Sequence, residues 1–296
     1  MNHTLLLTGL SGSNPLAYLA ALGALRMLPE ARLHWRLEQS VWRPVLTLPE
    51  PASSDGLCQR LLDLSRRIPA HLEKLRAVNL TVPPKDFSAY MNAVQDDPDA
   101  SSYAAAFASE VCIADQKDRV EYTNLCFITG SGHQDFITTV VRLSRDLSLD
   151  QLREALFERW RYADKSLSFR WDPQDAAEYA LRASDPSKDG AWTVWGANRL
   201  AFEALPLFPV QPTQKGLRTT AFRKNTNREE FTWPLWDTPL AVDAVRSLLS
   251  YPELQEKQPN RALLRAMGIA ELFRAPRIRI GQGANFKVSF RPARAV

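Results

Sequence analysis

A helix with no polar face is the strongest constraint on how this chain folds. Residues His3 to Leu28 read as a strand, a tight loop and a helix. An apolar run ends at Gly9, a Ser/Gly loop follows, and Asn14 stands as N-cap ahead of Pro15 at the first helical position. Apart from Arg26, the helix body is Leu, Ala, Tyr, Gly and Met, so it must be covered all round rather than on one stripe. Small residues at Ala17, Ala20, Ala21 and Gly23 let it lie close against a sheet. Two short strands, near Leu33 to Leu37 and Pro44 to Leu48, extend that sheet and give a first α+β layer.

The 296 residues are enough to bury a large core, and 45% hydrophobic with 24% charged residues is ordinary for a globular protein. A net charge of +4 permits an anionic partner without demanding one. Cys58, Cys112 and Cys126 are odd in number and lack a CxxC pair, which argues against a disulfide framework or zinc ribbon and fits a reducing, cytoplasmic setting. The apolar run from Leu5 to Leu28 is broken by Gly9, Ser11, Gly12, Ser13, Asn14 and Pro15, too short to span a bilayer, so no membrane anchor is expected.

Periodicity predicts a helix between Pro49 and Ala77, with Leu57, Leu61, Leu62 and Leu64 as its stripe. Residues 82–118, with Pro83, Pro84, Asp96, Asp97, Pro98 and Asp99, read as an irregular, exposed and mobile acidic excursion. Next come an apolar strand at Leu125 to Thr129, a GSGHQ turn, and a helix carrying Phe136, Ile137, Val140, Val141 and Leu147. A helix from Leu149 to Trp160 has Ser148 as N-cap. Ser168 to Asp172 alternates like a strand, and Asp175 to Arg182 fits a short helix. Beyond Trp195 the pattern predicts a helix to Leu205, a proline-punctuated cationic loop, a strand at Phe231 to Trp236, and helices near 240–250 and 260–272. A hairpin of Arg277 to Ile280 and Asn285 to Phe290 ends the chain. The fold class expected is α+β, a mixed, largely antiparallel sheet packed with several helices. It divides into residues 1–120 and 121–296, or forms one continuous domain.

Charge is distributed unevenly along this frame. Between Gln211 and Arg228 stand Lys215, Arg218, Arg223, Lys224 and Arg228 with no Asp or Glu, flanked by aromatic and aliphatic blocks. From Phe273 to Val296 there are six Lys or Arg and no acid. Alternation puts Arg277 and Arg279 on one strand face, with Lys287 on the partner strand. A phosphate backbone favours such fields because each neutralised phosphate releases condensed counterions; a long solvated loop is the plainer reading. Ser131, His133 and Gln134 in the GSGHQ turn offer a phosphate or base contact at a helix N-terminus, or simply an ordinary capped turn.

Bond-breaking machinery is hard to find. His3, His34, His71 and His133 have no second ligand at metal-binding spacing, and phosphate-loop, nucleophile-elbow and metal-nuclease patterns do not occur. No cofactor is expected. The late tryptophans Trp160, Trp171, Trp192, Trp195, Trp233 and Trp236 read as core volume, with Trp192 the more exposed exception.

Five segments share an unusual composition: NPLAYLAALGALR (Asn14 to Arg26), FITGSGHQDFI (Phe127 to Ile137), RWDPQDAAEYALRASDPS (Arg170 to Ser187), GANRLAFEALPLFP (Gly196 to Pro209) and FTWPLW (Phe231 to Trp236). Together they resemble a CRISPR-associated family of type I-G (formerly I-U) systems, the family in the small large-subunit or helicase-extension slot. The resemblance runs nearly end to end. It implies a non-enzymatic subunit of an RNA-guided, Cascade-like surveillance complex in antiviral defence. Its partners would be other CRISPR effector subunits, guide RNA and/or target DNA, and the helicase-nuclease. No catalytic residue is carried over. Two alternatives remain: a protein–protein adaptor linking that complex to its helicase-nuclease, and a nuclease using His133.

Overall fold

The computed structural model describes residues 3–114, 118–127, 135–174, 192–225, 228–282 and 285–296. Strand β1 (His3–Leu6) leads into α1 (Pro15–Met27), where the Asn14 side chain accepts a hydrogen bond from the Ala17 N–H at 3.1 Å. That bond satisfies one of the otherwise orphaned N–H groups of the first turn. Strands β2 (Arg32–Glu38) and β3 (Val41–Leu48) join β1 in an antiparallel sheet of order β1-β3-β2.

The small residues of α1 serve a helix more than a sheet. A Cβ at Gly23 would run into the Leu200 carbonyl of the helix Trp195–Glu203, so the two helices approach to backbone contact. On the other side of α1, Tyr18 stacks on Trp35 of β2 with centroids 5.6 Å apart and meets Trp233 at 5.7 Å. Sheet and helix thus cover α1 completely, as its lack of a polar face requires.

The predicted helix after Pro49 is α2 (Ser54–Ser65), capped by Ser53, with Leu57, Leu61 and Leu62 buried. A 3-10 segment, Ile68–Leu75, follows. The acidic excursion predicted at 82–118 is a correction. The chain forms α3 (Pro84–Val94), α4 (Pro98–Phe107) and β4 (Ala108–Ala114), and buries Phe87, Tyr90, Tyr103 and Phe107. The residues read as turn formers are helix starters. Pro84 and Pro98 occupy first-turn positions, and Asp97 accepts from the N–H groups of Asp99 and Ala100, where a missing N–H costs nothing and negative charge is favoured.

Strand β5 (Arg119–Tyr122) pairs with β4. The strand expected to start at Leu125 is absent among the described residues: Leu125, Cys126 and Phe127 are buried in irregular chain. Helix α5 (Phe136–Asp146) buries Phe136, Ile137 and Val140. Helix α6 (Leu149–Phe157) has the full capping box of Ser148 and Gln151, but stops short of Trp160, which folds back to donate to the Ala155 carbonyl at 3.0 Å. Ser168 to Asp172 is not a strand either. It is buried on both sides, and Arg170 takes a positive φ of 61°, so alternation in the sequence does not mark a pleated face there. The helix expected at Asp175 to Arg182 lies outside the described residues.

Short strands β6 (Asp164–Lys165) and β7 (Trp192–Thr193) pair ahead of α7 (Trp195–Glu203). The cationic loop is two hairpins instead: β8 (Val210–Thr213) with β9 (Gly216–Thr219), and β10 (Phe222–Asn225) with β11 (Arg228–Trp236). Helices α8 (Val242–Leu249) and α9 (Arg261–Ala266) follow, separated by a 3-10 turn at Pro252–Gln255. The last helix ends well before 272. Gly268 adopts a φ of 82°, and Ile269 begins the long strand β12 (Ile269–Gln282). Strands β13 (Asn285–Phe290) and β14 (Arg294–Ala295) both pair with β12. All strand pairings among the described residues are antiparallel, and the architecture is α+β.

One hydrophobic cluster runs from Leu7 to Phe290, and a smaller one lies under α9. Through the larger cluster passes an ionic seam. Arg199 and Glu203, each 0% exposed, form an ion pair one helical turn apart on α7. Arg199 also donates to the Ser144 hydroxyl at 2.7 Å and the Ser65 carbonyl at 2.6 Å. Glu203 accepts from the Tyr103 hydroxyl at 2.6 Å and from Arg26 at 3.3 Å. These bonds tie α7 to α1, α2, α4 and α5.

Candidate nucleic-acid interface

The two cationic stretches of the sequence meet in space. Strand β11 lies between β10 and β12, with Lys224 opposite Glu229 and Glu230 opposite Pro276. That order brings Lys224 on β10 and Arg277 on β12 to either side of Glu229. Arg277 donates through Nη1 to Glu229 Oε2 at 2.9 Å, and its guanidinium carbon stands 5.2 Å from the centre of the Phe127 ring.

Two clefts open from this point, with volumes of about 920 and 970 Å³, and both are lined by Tyr122, Lys224, Glu229 and Arg277. The first continues past Lys215, Arg218, Arg223 and Lys257, the second past Arg228, Arg279 and Arg291. Among the described residues, nine cations line the pair of clefts against three carboxylates, Glu121, Glu229 and Glu256. Such an excess gives a positive field that the mild net charge of the whole chain does not reveal.

Each wall is built by a local device. The β8–β9 hairpin carries Lys215 at its turn and Arg218 opposite Gln211. Its approach to β5 is set by Glu121, which accepts from the Leu217 N–H at 2.5 Å. Gly216, at φ 101°, packs where a side chain would strike that carboxylate. On the opposite wall, Arg274 is buried and holds the 3-10 turn that presents Lys257. It donates to Thr232 Oγ1 at 3.0 Å and to the Glu256 carbonyl at 2.8 Å. Burial, with help from Arg223 and Arg294, pushes the Arg274 guanidinium down to about 10. Arg223 has a structural share as well, lying 3.8 Å from Glu230 and donating to the Glu256 carbonyl at 3.3 Å.

Lys215, Arg218, Lys224 and Arg228 are exposed and have no ion-pair partner among the described residues. Arg279 sits 3.5 Å from the centre of the Phe286 ring. Arg277 and Arg279 line the same cleft, but Lys287, paired with Ile280 across the hairpin, lines neither. Ser131, His133 and Gln134 lie outside the described residues. The N-cap of α5 is Asp135.

Sequence reasoning missed Lys257, Arg291 and Tyr122. Lys257 follows Glu256 in an unremarkable polar run, and Tyr122 ends a strand of four residues; neither has a local signal. Arg291 is one of six cations between Phe273 and Val296, and nothing in the sequence sets it apart from the others. Trp171, Trp233 and Trp236 are core residues, and Trp192 is half-buried beneath Lys165, whose Nζ lies 4.6 Å from the ring centre. The three cysteines are buried free thiols. No group of three potential metal ligands occurs among the described residues. No helix of the described residues is long and apolar enough to cross a membrane. No family model, no curated protein and no solved structure matches the chain.

Proposed function

We propose that the protein is a non-catalytic subunit of a type I CRISPR surveillance complex, acting in the cytoplasm, and that it grips the sugar-phosphate backbone of guide RNA and/or target DNA through the groove around Lys224 and Arg277. The observation that carries the nucleic-acid part of this reading is the convergence of residues 215–228 and 277–279, from separate strands, on clefts where cations outnumber carboxylates. Four of those cations have no carboxylate of their own among the described residues and are available to phosphate. The CRISPR assignment rests on the five segments that resemble the type I-G family. In such an assembly base pairing reads the sequence, so a subunit needs charge and shape and no reactive centre.

The experiment is copurification with the products of neighbouring genes, identification of the bound nucleic acid, and comparison with the variant Lys215→Glu, Arg218→Glu, Lys224→Glu. We expect guide RNA or target DNA in the wild-type complex and an affinity loss of about tenfold or more in the variant. Unchanged affinity would remove these residues from the interface. Salt-insensitive protein binding without any nucleic acid would favour the adaptor.

A further inference from the structure

The two clefts are depressions that share four lining residues, not a raised shelf. Proteins that read a duplex push a helix or ribbon into its groove, whereas here the cations stand in the walls of cavities whose volumes are those of small-ligand pockets. A duplex keeps its bases stacked inside and cannot fill such spaces. An unpaired strand can splay its bases into them.

The shared lining holds what such a strand requires. Tyr122, the last residue of β5, packs against the hydrophobic core, is half-buried and lines both clefts. Lys224 and Arg277 line the same two clefts beside it. The Arg277 and Arg279 guanidiniums are seated over Phe127 and Phe286, at 5.2 and 3.5 Å, which fixes their positions before any ligand arrives.

We infer that the groove takes an unpaired stretch of polynucleotide, with a base stacked on the Tyr122 ring and its flanking phosphates on Lys224 and Arg277. The inference rests on the groove binding nucleic acid at all. The shared chemistry is that of single-stranded RNA or DNA.

The test is fluorescence anisotropy of the full chain, at one salt concentration, with a short single-stranded RNA, the DNA of the same sequence, and the blunt duplexes of each. Inorganic polyphosphate serves as a polyanion without bases. We expect single strands to bind at least about tenfold more tightly than duplexes. Tyr122→Ala should weaken single-strand binding by roughly tenfold and leave polyphosphate binding unchanged, and Tyr122→Phe should retain both. A preference for RNA or DNA, or none, identifies the sugar and supports the inference in each case. Duplex binding as tight as single-strand binding overturns the inference and leaves the backbone-gripping role standing. An equal loss of polyphosphate binding in Tyr122→Ala overturns the stacking role. If no polynucleotide binds, the inference and the proposed function both fall.

Discussion

Glu229 and Arg277, joined at 2.9 Å across β11 and β12, place a carboxylate where two mainly cationic clefts share their lining. A phosphate arriving there must compete with Glu229 for the guanidinium. The carboxylate lowers nonspecific attraction while fixing the geometry of Arg277.

Replacing Glu229 with Gln therefore strengthens polynucleotide binding. Both partners are partly exposed, so the expected gain is about two- to fivefold at low ionic strength, shrinking as salt is added. Binding isotherms at two salt concentrations check both the direction and the salt dependence.

The ionic seam in the core predicts a large stability effect unrelated to binding. Arg199→Ala removes the nearer of the two cations bound to buried Glu203, leaving it only the longer contact with Arg26, and should cost about 3–5 kcal/mol. Replacing both members, as in Arg199→Met with Glu203→Leu, should recover part of that loss because neither charge is then buried alone. Urea denaturation of the three proteins is the measurement.

Gly23→Ala tests the backbone contact between α1 and α7. The added methyl meets the Leu200 carbonyl, which cannot rotate away, so a loss of about 1–3 kcal/mol or more is expected. Alanine at Gly56, where the nearest atom is the Ser53 hydroxyl at 3.2 Å, should be far milder.

His71 gives the fold an acid-side weakness. Burial lowers its pKa from the ordinary 6.5, opposed by Asp99, Glu203 and Asp97 and assisted by Arg26. Its ring lies tilted against Tyr103 with centroids 4.8 Å apart, and Nδ1 lies 3.2 Å from the Tyr90 hydroxyl. Above pH 6.5 the imidazole is neutral in both folded and unfolded chains and contributes no slope. Below it the unfolded chain binds a proton that the folded chain resists, so stability falls as pH drops through the interval beneath 6.5. His71→Gln should flatten that part of the stability–pH curve, measured by thermal melts in matched buffers.

Much of the frame was legible because local signals and tertiary demands agreed. Asn14–Pro15 and the Ser148–Gln151 capping box start helices where the sequence says they should, and the hairpin around residues 277–290 follows its alternation. Failures came where one residue type serves two purposes. Proline and aspartate at 83–99 start helices as readily as they make turns, and only the burial of Phe87 and Tyr103 decides between those roles. Ser168 to Asp172 alternates without being a strand, because its surroundings cover both sides.

The groove was half legible. Cation clusters stand out in one dimension, so Lys215, Arg218, Lys224 and Arg277 could be named. Tyr122 and the opposing Glu229 become part of the site through strand pairing, and Lys257 through the Arg274 bonds that hold its turn. Strand register, invisible in charge counting, pairs Lys287 with Ile280 and Arg279 with Val288, so those two cations stand on opposite faces of the hairpin.

The most direct test of the account is the salt dependence of polynucleotide binding by the full chain. With Lys215, Arg218, Lys224 and Arg228 each neutralising a phosphate, log K against log salt should fall with a slope of about −3 for a single strand. Lys215→Ala with Lys224→Ala should make that slope shallower by roughly 1 to 1.5. Absence of binding at low salt, or a slope near zero that the variant leaves unchanged, would contradict the claim that this groove holds a phosphate backbone.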